Sequence, residues 1–339
     1  MFRIALVIIF LHGSCSAQVY AQASLCTGAV QSASYDAESE VLACSTVIES
    51  GEYSGTHLSP AFNNRGLAYI QLGEYYLAIN DYNEGIELDP DDWTAYFNRG
   101  NAFVGYGHFL RAIGDYDRAI FRNNGVASVY ISRGYAYFQI DEVQSAIDDY
   151  KVAIDIAPQN ARAYNNLGVA LSDQEKFSEA VSAYDQAIFL DGAAARYFNN
   201  RGSVKDKMGN FDAAVEDYTT AINIDPKYFS AFNNRGRTYF KVGSLSLALA
   251  DLNNAIRLSN RYSLAYHNRG FVKASLGDVD GAVADWQKAI EMAGSKQAIW
   301  WQRRLKERGN HYQGAIDGVY SHRLEMALSA CAQDIECIR

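Results

Sequence analysis

Apolar residues fall along this chain in paired runs at helical spacing. Phe62, Gly66 and Tyr69 form one run, and Tyr75, Ala78, Ile79, Tyr82 and Ile86 form the next, with polar residues between. Each pair of runs predicts two antiparallel helices, and the pair recurs with a period of 34 residues. Gly66, Gly100, Gly134, Gly168, Gly202, Gly236 and Gly270 mark the first helices. An Ala stands twelve residues after each of them, from Ala78 to Ala282, and an Ile eight further on, from Ile86 to Ile290. Seven copies without an insertion describe one helix-turn-helix unit stacked on its own copies, an α-solenoid. A Gly ends the first helix in five copies (Gly73, Gly107, Gly209, Gly243, Gly277), and Pro90, Pro158 and Pro226 close the second.

The small Gly and Ala columns predict close helix approach, with large residues packed around them. Two columns, Phe62 to Tyr266 and Tyr82 to Trp286, account for much of the chain's 24 tyrosines and are assigned to the core. Together these columns resemble the tetratricopeptide repeat (TPR) family, from Ser59 to Lys296. The resemblance implies an all-α, right-handed α-solenoid of seven 34-residue TPR repeats over 59–296, with a groove lined by the first helices in which peptide partners lie. Where the family has Leu before the Gly, six repeats have Arg65, Arg99, Arg133, Arg201, Arg235 and Arg269. The same six carry Asp81, Asp115, Asp149, Asp217, Asp251 and Asp285, whereas the fourth repeat has Leu167 and Ala183. Residues that come and go together predict an ion pair between the two helices of each repeat.

Groove positions implied by the resemblance differ along the array. Phe97, Ile131, Tyr135 and Phe138 are apolar; Arg162, Arg196, Lys207, Arg237 and Lys241 are basic. Asn165, Asn199 and Asn233 recur in the basic half, and amides that both donate and accept suit an extended peptide backbone. The expected partner is a protein or peptide with an apolar segment and an acidic one; the protein's own termini or a second copy are the competing occupants. The lysines of the family's carboxylate clamp are missing, so that ligand is not carried over.

The ends break the pattern. Residues 1–23 read as a signal peptide: Arg3, an apolar run from Ile4 to Leu11, then Ala21-Gln22-Ala23, with cleavage after Ala23 or else Ala17. The expected location is periplasmic or secreted, and no later run has the ~20 apolar residues of a transmembrane helix. Residues 24–58 form an N-terminal helical cap. Four cysteines remain after the signal, which predicts Cys26–Cys44 and Cys331–Cys337 disulfides, with free thiols as the alternative.

From Ala298 the period fails. Gln302 to Gly309, then Tyr312-Gln313-Gly314-Ala315-Ile316-Asp317-Gly318-Val319-Tyr320, resemble the small helical peptidoglycan-binding domain of bacterial wall proteins. The resemblance implies a helical domain over 297–339 with a tight turn and an apolar pair, Ala327 and Leu328, on its second helix. Tyr312, Asp317 and Tyr320 are its wall-binding candidates. Ser321-His322-Arg323-Leu324 departs from the family's Gly-Pro-x-Thr, and a degenerate eighth repeat is the other reading of the segment.

The formal net charge of −9 argues against nucleic-acid or anionic-membrane partners. No nucleophile elbow, metal-binding helix, phosphate loop or paired carboxylates stand out, so neither metal nor cofactor is expected and the chain reads as a non-enzymatic scaffold. A cell-wall enzyme or enzyme subunit is the second reading.

Overall fold

The computed structural model describes Gln22, Cys26, residues 36–308 and residues 311–338. The expected signal peptide, Gln22 apart, lies outside them, as do its cleavage residues Ala17 and Ala23, most of the first half of the cap, and Gly309. Among the described residues every regular element is helical. The chain divides into two compact units, residues 1–170 and 171–339.

In the first unit, α1 (Ala37–Glu49) begins at Asp36, whose carboxylate accepts the Ser39 amide at 2.9 Å. The Cys26–Cys44 disulfide ties it, and both cysteines are buried with Ala43, Val47 and Ala61. Three helix pairs follow: α2 (Ser59–Gln71) with α3 (Tyr75–Leu88), α4 (Trp93–Gly105) with α5 (Phe109–Arg122), and α6 (Ala127–Gln139) with α7 (Val143–Ile156). Helix α8 (Ala161–Asp173) straddles the division.

The second unit contains α9 (Phe177–Leu190) and three further pairs. These are α10 (Ala195–Lys207) with α11 (Phe211–Ile224), α12 (Phe229–Lys241) with α13 (Leu245–Leu258), and α14 (Ser263–Ser275) with α15 (Val279–Ala293). Helices α16 (Ser295–Glu307), α17 (His322–Gln333) and the short α18 (Ile335–Ile338) complete it.

The pairs pack closely because an aromatic ring of the second helix lies on the glycine of the first. A Cβ at Gly66, Gly100 or Gly134 would come within 2.7, 2.6 and 2.7 Å of the Tyr82, Tyr116 and Tyr150 rings. Leu252 replaces the ring against Gly236, and Trp286 lies on Gly270. The glycines that end first helices at 73, 107, 209, 243 and 277 all have φ between +78° and +83°; Asp141 and Glu175 adopt the same left-handed region in the two repeats that lack one.

The Arg and Asp columns form the expected ion pairs. All six arginines bind their aspartate through Nε and Nη2, at 2.6–2.9 Å. The aspartate side chains retain only 2–7% of their exposure. Each guanidinium also lies over the ring three residues earlier, 5.4–5.8 Å from its centre. Its remaining nitrogen, Nη1, reaches back to the preceding helix, to Ser45, Asn83, Asp117, Asp185, Thr219 or Asn253, at 2.6–3.0 Å. One side chain therefore braces both the pair and its junction with the previous one.

The C-terminal segment does not close on a core of its own. Trp301, Leu305, Tyr312, Leu324, Ala327, Leu328 and Cys331 share one buried cluster with Phe271 and Trp286 of the seventh repeat. Trp286 and Trp301 lie 4.7 Å apart, Phe271 and Trp301 5.5 Å. Nor is it an eighth repeat: α17 packs chiefly on α15 instead of α16, and the link between α16 and α17 is far longer than the turn of a repeat. The expected Cys331–Cys337 disulfide closes its end.

That link is organised by Gln302, which is fully buried. Its amide nitrogen donates to Asp317 Oδ1 (2.8 Å), the Val319 carbonyl (3.1 Å) and the Tyr312 hydroxyl (3.3 Å). Its carbonyl accepts the amides of Asp317 and Gly318, at 3.1 and 2.9 Å. Asp317 also accepts the Val319 amide, as the turn motif leads one to expect. Gly318 has φ +73°, but Gly314 does not share it: a side chain there would collide with the Tyr312 ring.

Candidate functional site

The first-helix faces carry the groove positions, and the structure sorts them. In the first unit, Tyr135 is exposed and Phe97 and Phe138 are half-buried, so these three are accessible. Ile131 is not: at 2% exposure it packs with Tyr130, Ala153 and Ala163, and its expected groove role is corrected to core. Arg162 is exposed, whereas Asn165 is buried and donates to Asn166.

In the second unit, Arg196, Lys207 and Lys241 are exposed and Arg237 is half-buried. Arg196 donates to the Tyr197 hydroxyl at 2.9 Å, and Lys207 lies 3.3 Å from the Ser172 hydroxyl. Arg237 and Lys241 converge on Asp206, whose side chain is wholly buried and also accepts the Thr238 hydroxyl at 2.8 Å. Two of these four cations thus pair with a single buried carboxylate, and all four side chains keep access to solvent.

The asparagine ladder has a different role from the one its spacing suggests. Asn199 accepts from Asn234 at 2.9 Å and Asn233 from Asn268 at 2.8 Å, each bond joining successive first helices. Asn63 and Asn98 repeat the bond in the first unit. Asn165, Asn199 and Asn233 are at most 7% exposed, which withdraws them from a ligand's backbone, and the bonds of Asn199 and Asn233 serve repeat stacking.

Of the wall-binding candidates, Tyr312 is buried and donates to the Ala315 carbonyl, and Asp317 is occupied in its turn. Tyr320 is half-buried, with a buried hydroxyl that has no hydrogen-bond partner among the described residues. Among the described residues no cluster of three or more His, Cys, Asp and Glu side chains could hold a metal, and no helix is long and apolar enough to cross a membrane.

Family models for the tetratricopeptide repeat match residues 66–107, 134–174 and 207–243, and, for a second such model, 161–192. The repeating units are tetratricopeptide repeats. A tetratricopeptide repeat protein from Parabacteroides merdae superposes with a TM-score of 0.60 at 18% identity, over 69% of this chain and 93% of that one, and carries the fold. MamA aligns at 26% identity with a TM-score of 0.45, over 48% of this chain and 95% of its own. YrrB, described as a TPR protein with an unusual peptide-binding site, aligns at 25% with 0.44, over 55% of this chain and 96% of its own. No curated protein sequence matches the chain.

Two features of the repeats escape a reading by Arg and Asp alone. The acceptors of Arg Nη1 form a third column, Asn83, Asp117, Asp185, Thr219 and Asn253, and where the fourth repeat loses its arginine this column holds Lys151. That co-variation was visible in the sequence. The Asp206 junction was visible only as a spacing, since Thr238 and Lys241 follow it by about one repeat.

Proposed function

We propose that the protein is an exported scaffold that holds a peptide partner on its first-helix faces and is tethered to peptidoglycan through its C-terminal segment. The observation that carries the reading is the second unit's first-helix face, which presents Arg196, Lys207, Arg237 and Lys241, only the last two of them paired with the buried Asp206, in an otherwise acidic chain. Such a face favours an acidic segment, and the exposed Tyr135 with Phe97 and Phe138 favours an apolar one. Two disulfides support an oxidising compartment and agree with the signal-like Arg3 to Ala23. The tether rests on the Tyr312-to-Tyr320 resemblance and on the Gln302-centred turn that gives it a defined shape.

A labelled acidic peptide titrated into the full chain tests the scaffold. Binding should weaken with salt and fall at least tenfold in the Arg196→Glu, Lys207→Glu double variant; affinity equal to wild type removes the partner assignment. Co-sedimentation of the full chain with purified sacculi tests the tether, and protein left in the supernatant refutes it. A mature N-terminus at Ser24 in the periplasmic or secreted fraction tests export.

A further inference from the structure

Beside α16, Lys296, Trp300, Arg303, Arg304, Glu307 and Arg308 line an open hollow of about 450 Å³. Among the described residues none of its four cations forms an ion pair, in contrast to the repeat arginines. Arg304 is the most confined. It donates to the Cys337 carbonyl at 2.7 Å, lies 5.4 Å over Trp300 and 5.3 Å over Phe271, and its buried Nε has no hydrogen-bond partner among the described residues. Burial, and then the neighbouring Arg308, hold its pKa below the ordinary arginine value, and the hollow sets four cations against one carboxylate, Glu307. Trp300 remains 40% exposed, its ring system steeply inclined to those of His267 and Trp301.

An anion satisfies the arginines, and Trp300 offers a platform for a flat apolar face. Glu307 adds an acceptor among the donors, which suits the hydroxyls of a sugar. The volume suits one substituted sugar ring. We propose that this hollow binds the carboxylate of an acidic sugar unit in a glycan, with an arginine fork on the carboxylate and the pyranose face on Trp300. The inference deepens the tether reading by naming a subsite, but it stands on charge and shape and does not need that reading to hold.

The full chain is titrated with N-acetylmuramic acid, glucuronic acid, N-acetylglucosamine and a glutamate tripeptide, with indole fluorescence as readout. A carboxylated sugar should bind at least tenfold more tightly than N-acetylglucosamine. Trp300→Ala and the Arg303→Gln, Arg308→Gln pair should each weaken it at least tenfold while the melting temperature is kept. Equal binding of charged and neutral sugars, tighter binding of the tripeptide, or affinity unchanged in the variants overturns the proposal. If the variants fail to fold, the wild-type sugar series decides alone. A preference for N-acetylmuramic acid identifies the wall glycan as the source, and one for glucuronic acid identifies a uronic polymer. Sacculus co-sedimentation is read separately: sedimentation without sugar selectivity sinks only the subsite, and selectivity without sedimentation sinks only the tether.

Discussion

A guanidinium that holds an aspartate through two nitrogens, a neighbouring helix through the third and an aromatic ring beneath it is difficult to remove alone. Arg235 and Asp251 give a clean case, because Thr219 is neutral and, among the described residues, Asp251 pairs with no second cation. Burial opposes the charge of Arg201 in the corresponding pair, yet its carboxylate partners hold the pKa above the ordinary arginine value. Arg235→Leu or Asp251→Ala by itself leaves a buried charge unpaired and should cost about 3–5 kcal/mol in denaturant unfolding. The double change copies Leu167 and Ala183 of the fourth repeat, so it should cost clearly less than the sum; strict additivity would deny the pairing. Backbone strain gives a second residue-scale prediction. Asp141 and Glu175 occupy the left-handed region that glycine fills elsewhere, and Asp141→Gly or Glu175→Gly should each stabilise by about 1 kcal/mol, read from the denaturation midpoint. At this scale the sequence misled only where a residue type suits two jobs. Asparagine at 199 and 233 serves repeat stacking as well as it would have served a ligand, and composition does not separate the two.

Among the elements, the contact of α14 with α16 encloses a histidine. His267 sits against Phe271, Trp300 and Trp301, and its Nδ1 lies 3.0 Å from the Gln297 amide. Burial, and then Arg304, lower its pKa to about 4 from the ordinary 6.5. The unfolded chain therefore binds a proton at higher pH than the folded one. The folded state keeps this contribution above pH 6.5 and loses it as the pH falls toward 4, by about 3 kcal/mol in all. His267→Gln should flatten the stability profile across that window, whereas loss of the Asp317 and Asp334 contributions belongs to lower pH, since hydrogen bonds hold both carboxyls below their usual value. A wild-type profile that is flat between pH 4 and 6.5 would contradict the burial of a neutral imidazole. The sequence marked the break at Ala298 and the turn around Asp317 but not the shared core, because Trp286 belongs to a repeat column and nothing local says that Trp301 will pack on it.

For the molecule as a whole, the fold was legible because it is written seven times, each column confirming the others; the ligand-facing positions were not, because they are the ones that change from repeat to repeat. Repetition also predicts which large changes the chain tolerates. Contacts that hold one pair to the next recur at a fixed offset, so removing 93–126, one full period within the first unit, rejoins Asp92 to Ala127 in register. Arg133 then meets Asn83 in place of Asp117, and Asn83 already accepts the corresponding bond from Arg99. The Gly134 and Tyr150 contact and the Arg133 and Asp149 pair lie inside the next repeat and are untouched. Because stability in such an array sums local and nearest-neighbour terms, the shortened chain should unfold cooperatively, with a smaller denaturant slope in keeping with the surface removed. Removing 93–122 instead displaces every later column by four residues and brings mismatched side chains to the junction. That variant should lose helical signal and cooperativity in the first unit, and equal behaviour of the two deletions would mean that register does not hold the repeats together.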